Sequence, residues 1–224
     1  MYPLTGNLLT VLTNARHSQR PTGAYYFSHV VEWYMQAIYI NNIAFSSSGT
    51  ASEIAPYIDI FQYYGVNNIT DFSNFLYGGH ALKKINIDTS KGINFNGFLN
   101  SCYIFNDSLT IDVHNGTNFT GFMTACYNYQ QTLTLDIGNG LIFTDFLYKL
   151  FAAKKIHLIN MPLTFNTLLL YGSFDVDALV ILFNDLVDRT GESAGTLTVS
   201  HAFGYPQLTT SQRQIATNKN WTLA

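Results

Sequence analysis

A step of 24 residues governs the middle of this chain. "SLTIDVHNG" (108–116) returns as "TLTLDIGNG" (132–140) 24 residues later. The agreement extends well beyond that stretch. Ile85, Leu109 and Leu133 fall in one column, Ile87, Ile111 and Leu135 in a second, and Asp88, Asp112 and Asp136 in a third. Gly92, Gly116 and Gly140 follow, then Phe95, Phe119 and Phe143, then Phe98, Phe122 and Phe146. Leu99, Met123 and Leu147 come next, then Cys102, Cys126 and Leu150, then Tyr103, Tyr127 and Phe151. A chain with such a period folds as a stack of like units, because one unit cannot bury both of its apolar faces alone.

Each unit has two halves. "LTID" and "LTLD" alternate apolar and polar, the period of a half-buried strand, so Leu109 and Ile111 face one way and Thr110 and Asp112 the other. Gly116 and Gly140 are expected to make a tight, left-handed turn. Phe119, Phe122, Met123 and Cys126 then stand at the offsets of one face of a short helix. Strand, turn and helix at this period form the leucine-rich-repeat pattern. The expected fold is an α/β repeat solenoid of about 24-residue strand-turn-helix units, with a parallel sheet on one side. In-register neighbouring strands should then carry Ile85, Leu109 and Leu133. Fainter units flank these. "ITDFSNFLYGG" (69–79) reads as the helical half of the preceding unit, 60–64 as its strand, and 36–45 as the first strand of the stack. "KKIHLINMP" (154–162) is a strand one residue out of phase, followed by "LTFNTLLLYG".

The C-terminal segment departs from the period. "DVDALVILFNDLVDR" (175–189) predicts the longest helix, with Asp175 as its N-cap and Thr190-Gly191 as its stop. "GTLTVS" (195–200) predicts a strand. Thr209 and Gln212 have the spacing of a capping box, which predicts a short helix to about Lys219, with Trp221 and Leu223 in a terminal strand. Such an atypical end is what a solenoid needs to cover its last apolar face. Three parts follow: an N-terminal attachment arm (1–36), the repeats (37–172) and the capping repeat (173–224).

Composition narrows the function. Charged residues make up only 11% of the chain and the net charge is −3, against roughly a quarter charged in an ordinary globular domain. No run of Lys or Arg exceeds two, so the basic footprint of a nucleic-acid binder is absent. No segment reaches the ~20 apolar residues of a membrane span. The first residues lack the charged and apolar regions of a secretory signal, so a route other than general secretion is expected.

The repeat "F-x-x-F-L/M-x-x-C" followed by "L-x-L/I-D" resembles the BspA-like subclass of leucine-rich repeats. The ending "LTTSQRQIATNKNWTLA" is similar to the C-terminal cap of short leucine-rich-repeat proteins of tailed phages and prophages. The resemblance spans roughly residues 37–224 and implies a non-enzymatic virion component near the tail or its fibres. Its alternative implication is a bacterial cell-surface adhesion module. The arm is expected to contact other virion proteins, and the repeats a host-surface protein or glycan, or a second copy of the chain. No cofactor, nucleic acid or membrane insertion is expected.

Candidate site residues lie on the outer strand face: Asn86, Asp88, Thr110, Asp112, Thr134, Asp136 and His157. The column Asp88, Asp112 and Asp136 is where a hard cation would find carboxylates in line. The competing reading is that each faces solvent or accepts from turn amides, and no metal is assigned. Cys102 and Cys126 are expected to be buried free thiols. Tyr103, Tyr127 and Phe151 form either a contact stripe or packing. The six histidines are scattered and no G-x-S-x-G elbow is present, so no catalytic residue is expected.

Overall fold

In this computed structural model residues 69–224 are described throughout, together with two strands earlier in the chain, Trp33–Met35 and Ile60–Tyr63. Strands β1 (Trp33–Met35), β2 (Ile60–Tyr63) and β3 (Lys84–Asn86) pair in parallel, Trp33 opposite Phe61 and Phe61 opposite Ile85. Strands β4 (Thr132–Asp136) and β5 (Lys155–Ile159) form a second parallel pair, with Leu133 opposite Ile156. A third sheet has the order β6 (Thr167–Leu169), β7 (Gly195–Thr198) and β8 (Trp221–Leu223), also parallel. Among the described residues two α-helices, α1 (Val176–Asp185) and α2 (Thr210–Thr217), and a 3-10 helix (Tyr205–Gln207) complete the elements.

The strand β1 lies inside the segment expected to be an arm, and its pairing with β2 gives those residues a place in the first sheet. The strand expected at 36–45 lies outside the described residues.

Between 69 and 151 the units lie side by side. Asp71, Asn94, Asn118 and Ile142 form successive parallel bridges. Beneath them the phenylalanines stack in two columns. In the first, Phe72, Phe95, Phe119 and Phe143 stand 5.4, 5.7 and 5.5 Å apart with ring planes within 5°. In the second, Phe75, Phe98 and Phe122 stand 5.5 and 5.3 Å apart. The columns meet edge to face, for example Phe95 against Phe98 at 77°. Parallel rings within a column and perpendicular rings between columns are both favoured by the ring quadrupole, worth ~0.5–1.5 kcal/mol per pair beyond area burial.

The helical halves are the first departure from expectation. Residues 73–78, 96–101, 120–125 and 144–149 are chains of turns. Phe122 donates its N–H to Phe119 O, and Thr124 donates to Gly121 O. The third residue of each turn has positive φ: Gly121 63°, Met123 51° and Ala125 60° in one unit, Asp145 54°, Leu147 56° and Lys149 62° in the next. That is the signature of type II turns placed end to end. A helix would spend its N–H groups on itself. Here alternate groups reach the neighbouring unit, as when Gly121 donates to Thr144 O at 2.8 Å. Leucine at positive φ costs about 1–2 kcal/mol. Leu76, Leu99 and Leu147 nevertheless adopt it, and burial offsets the strain, since all three are fully enclosed and a buried leucine contributes about 1.5–3 kcal/mol.

The strand row is the second departure. Ile85 lies in β3 and Leu133 in β4, but Leu109 lies in no strand, so these three do not share one sheet. Thr89 is the cause. Its buried hydroxyl donates to Asp112 O at 2.6 Å and accepts from Asp112 N at 2.9 Å. A side chain thus occupies the place of a backbone rung. Burial still follows the repeat, with Leu109 and Val113 inside and Thr110 and Asp112 outside.

The glycines are the third. Gly92, Gly116 and Gly140 do not take positive φ. A Cβ on Gly116 would sit 2.5 Å from Phe119 Cζ; its column exists to admit the phenylalanine three residues on.

The C-terminal segment follows its signals closely. Asp175 caps α1 by accepting from Ala178 N at 2.8 Å. The helix ends at Asp185, earlier than expected, because Leu186 turns extended. Thr209 and Gln212 make both hydrogen bonds of a capping box at α2. Arg189, buried, donates to Leu163 O at 2.6 Å and to Ser193 O at 2.9 Å, and lies over the Trp221 ring.

Candidate functional site

The aspartate column repeats one local geometry. Asp88 Oδ1 accepts from Ser90 N at 2.9 Å, Asp112 Oδ1 from His114 N at 3.1 Å and Asp136 Oδ1 from Gly138 N at 3.1 Å. A carboxylate bonded to the amide two residues on is an Asx turn. Each aspartate therefore reverses the chain at the end of its strand half. Asp136 also accepts from Asn160 Nδ2 at 2.9 Å. Burial tends to raise the Asp112 carboxyl, but the ring and backbone N–H of His114 outweigh it and hold it below the ordinary carboxylate range. Among the described residues no three His, Cys, Asp or Glu side chains gather as a metal-holding group.

The rest of the predicted face divides. Asn86, Thr110 and Thr134 are exposed. Thr134 stands opposite His157 in the β4–β5 pair. His157 is drawn toward α1, its Nδ1 lying 3.2 Å from Asp185 Oδ2, which also accepts from Leu158 N. It joins a strand to a helix and so differs from the open residues of the row.

Two features of this surface escaped the sequence reading. One is a side-chain ladder: Asn115 Nδ2 donates to Ser90 O at 2.8 Å and Asn139 Nδ2 to His114 O at 2.7 Å, one unit apart. The repeated Asn-Gly of "HNG" and "GNG" was the available signal. The other is the length of the exposed ring column. His80, Tyr103, Tyr127 and Phe151 stack at 4.6, 5.2 and 5.5 Å. Tyr171 meets Phe151 edge-on at 6.3 Å, and His201 stacks on Tyr171 at 5.1 Å. His80 and His201 had been read as scattered, because their distance in sequence hides their place in one column. Stacking occupies the ring faces, so the column offers edges and hydroxyls outward.

The thiols are inward. Cys102 and Cys126 are buried and free. Their Sγ atoms donate to Leu76 O and Leu99 O at 3.2 and 3.1 Å. Burial pushes the Cys126 thiol up to about 12, which removes the thiolate that nucleophilic chemistry requires.

No family model matches the chain, and no curated protein and no solved structure matches it.

Proposed function

We propose that the chain is a non-enzymatic structural and binding protein of a tailed-phage virion, its units wound as a leucine-rich-repeat-type solenoid and associated with the tail or its fibres. The observation that carries the reading is the segment "LTTSQRQIATNKNWTLA", whose capping box precedes strand β8 at the edge of the β6–β7–β8 sheet. Its likeness to phage repeat caps supplies the assignment. The row Asn86, Asp88, Thr110, Asp112, Thr134 and Asp136, with His157 beside it, is the face presented to a host-surface protein, a glycan or a virion neighbour. Aspartates engaged by their own turns and buried thiols suit a presented scaffold better than a reaction centre. Mass spectrometry of purified particles tests the reading, with the chain expected among the virion proteins. Its absence from particles, with labelling on the outside of bacterial cells, would transfer the protein to the surface-adhesion class.

A further inference from the structure

Each junction between units repeats the same backbone frame. Phe72, Phe95 and Phe119 donate to the carbonyls of Asn94, Asn118 and Ile142 at 2.7, 2.8 and 2.8 Å. Asn74, Gly97 and Gly121 donate to Asn96, Thr120 and Thr144, and Gly78, Ser101 and Ala125 donate to Asn100, Thr124 and Tyr148. One step on, the donors are Phe143, Asp145 and Lys149, and no described backbone group accepts from them. The acceptors stop at the same place. Leu99, Met123 and Leu147 donate to Phe75, Phe98 and Phe122, while the Phe146 carbonyl, next in the series, receives no donor from the described residues. The Leu141 carbonyl likewise follows Thr70, Ile93 and Thr117 in its series without a donor among the described residues.

The following segment explains the break. Asn166, one step after Ile142, gives its carbonyl to Thr196 N of β7 at 2.8 Å. Strand β6 has turned to β7, with Thr167 opposite Thr196 and Leu169 opposite Thr198. In a parallel ladder alternate residues address opposite neighbours. Residues 166, 168 and 170 serve β7, which leaves the N–H and C=O of Thr167 and Leu169 directed to the other side. There, Leu141, Ile142, Asp145, Thr167 and Leu169 line one groove of about 480 Å³. Leu141 and Ile142 at its border are 63% and 48% exposed.

We propose that this groove binds an extended peptide segment of a partner protein by strand addition, the peptide completing both backbone edges. A slot with open edges on two sides requires a strand free on both of its own edges. An unstructured segment has that property; the edge of a folded second copy does not. Leu141 and Ile142, exposed at the border of the groove, favour apolar or β-branched side chains on alternate residues. Asp145, the one charge among the lining residues, disfavours an acidic segment. The assignment is independent of the virion reading.

The test uses the unaltered chain, labelled for amide NMR, and an end-blocked peptide with the sequence of residues 194–200, "AGTLTVS", which contains a strand this chain itself forms. In the free protein the amides of Phe143, Asp145 and Lys149 should exchange at least about tenfold faster than those of Phe119, Gly121 and Ala125, and peptide should slow them. The same peptide N-methylated at both threonines should bind at least about tenfold more weakly, since it loses two hydrogen bonds. Three amides already protected in the free protein, no response at millimolar peptide, or equal binding of the methylated form would each overturn the proposal. Protection that rises with protein concentration alone would replace the peptide by a second copy, and overturn it too.

Discussion

Residues 69–151 and residues 155–224 are held together in different ways. In the first region one contact is copied: a phenylalanine on the phenylalanine of the next unit, a turn amide on the carbonyl of the next unit, an aspartate on its own turn. In the second these copies thin to the Tyr171–His201 ring pair and the Asp188 turn, and other contacts take over. Arg189 ties the 163–165 segment to Ser193 and covers Trp221, while Lys219 Nζ donates to the carbonyls of Phe183, Asn184 and Leu186 at 3.2, 2.6 and 2.8 Å. A copied contact can be extended by another unit, but it always leaves an open face. Long side chains that reach backbone carbonyls satisfy groups that a repeated contact leaves open.

The largest effect should come from the copied region. Phe122 packs on Phe98, Phe119 and Phe146, so Phe122→Ala should cost about 3–5 kcal/mol in denaturant unfolding. A loss under 1 kcal/mol would show that the columns do not carry the stack. Arg189→Ala should cost about 2–4 kcal/mol by stranding the Leu163 and Phe165 carbonyls. Arg189→Lys should recover only part of that loss, because a lysine lacks the guanidinium fork. Full recovery would reduce the anchor to a simple charge.

A pair of glycines gives a smaller but sharper contrast. Gly116→Ala places a methyl 2.5 Å from Phe119 Cζ and 2.9 Å from Val113 O, an overpacking cost of about 1–3 kcal/mol. Gly191→Ala meets nothing within 4 Å but keeps φ near +90°, a purely local strain of about 1 kcal/mol. Equal thermal shifts for the two would contradict the view that the repeat glycines make room for rings. The smallest effect is electrostatic. The Asp112 carboxyl is held below its ordinary range in the fold. Its contribution is therefore present above the unfolded value, near ~4, and is lost as pH falls through the lower folded value. Asp112 is half exposed, so solvent limits the amount to about 0.5 kcal/mol. Asp112→Asn should flatten the acid limb of the unfolding midpoint by that much, and an unchanged limb would remove His114 as its partner.

Much of this was legible from residues alone. The 24-residue columns located the stacked rings of Phe95, Phe98, Phe119, Phe122 and Phe143 and the outward Thr110 and Asp112, while apolar spacing and cap spacing gave the buried thiols and the capping box at Thr209; Phe105, which stacks on Tyr129, was in no column. The turn chains were half legible. Asn74, Gly97, Gly121 and Asp145 share one column, and Asn, Gly and Asp are the residues that best tolerate positive φ. The apolar offsets that suggested a helix are met equally by successive turns, since both return side chains to one face.

Sequence by itself determined the period and which side chains turn inward, because apolar burial and ring stacking depend on spacing along the chain. Only tertiary structure decided where the backbone hydrogen bonds go. Whether Gly121 N–H serves its own turn or Thr144 of the next unit, whether Asp112 meets a strand or the Thr89 hydroxyl, and which neighbour Asn166 O accepts from are choices among nearly equivalent partners. The backbone carries the same groups at every residue. The packing of distant side chains therefore settles which partner comes within reach.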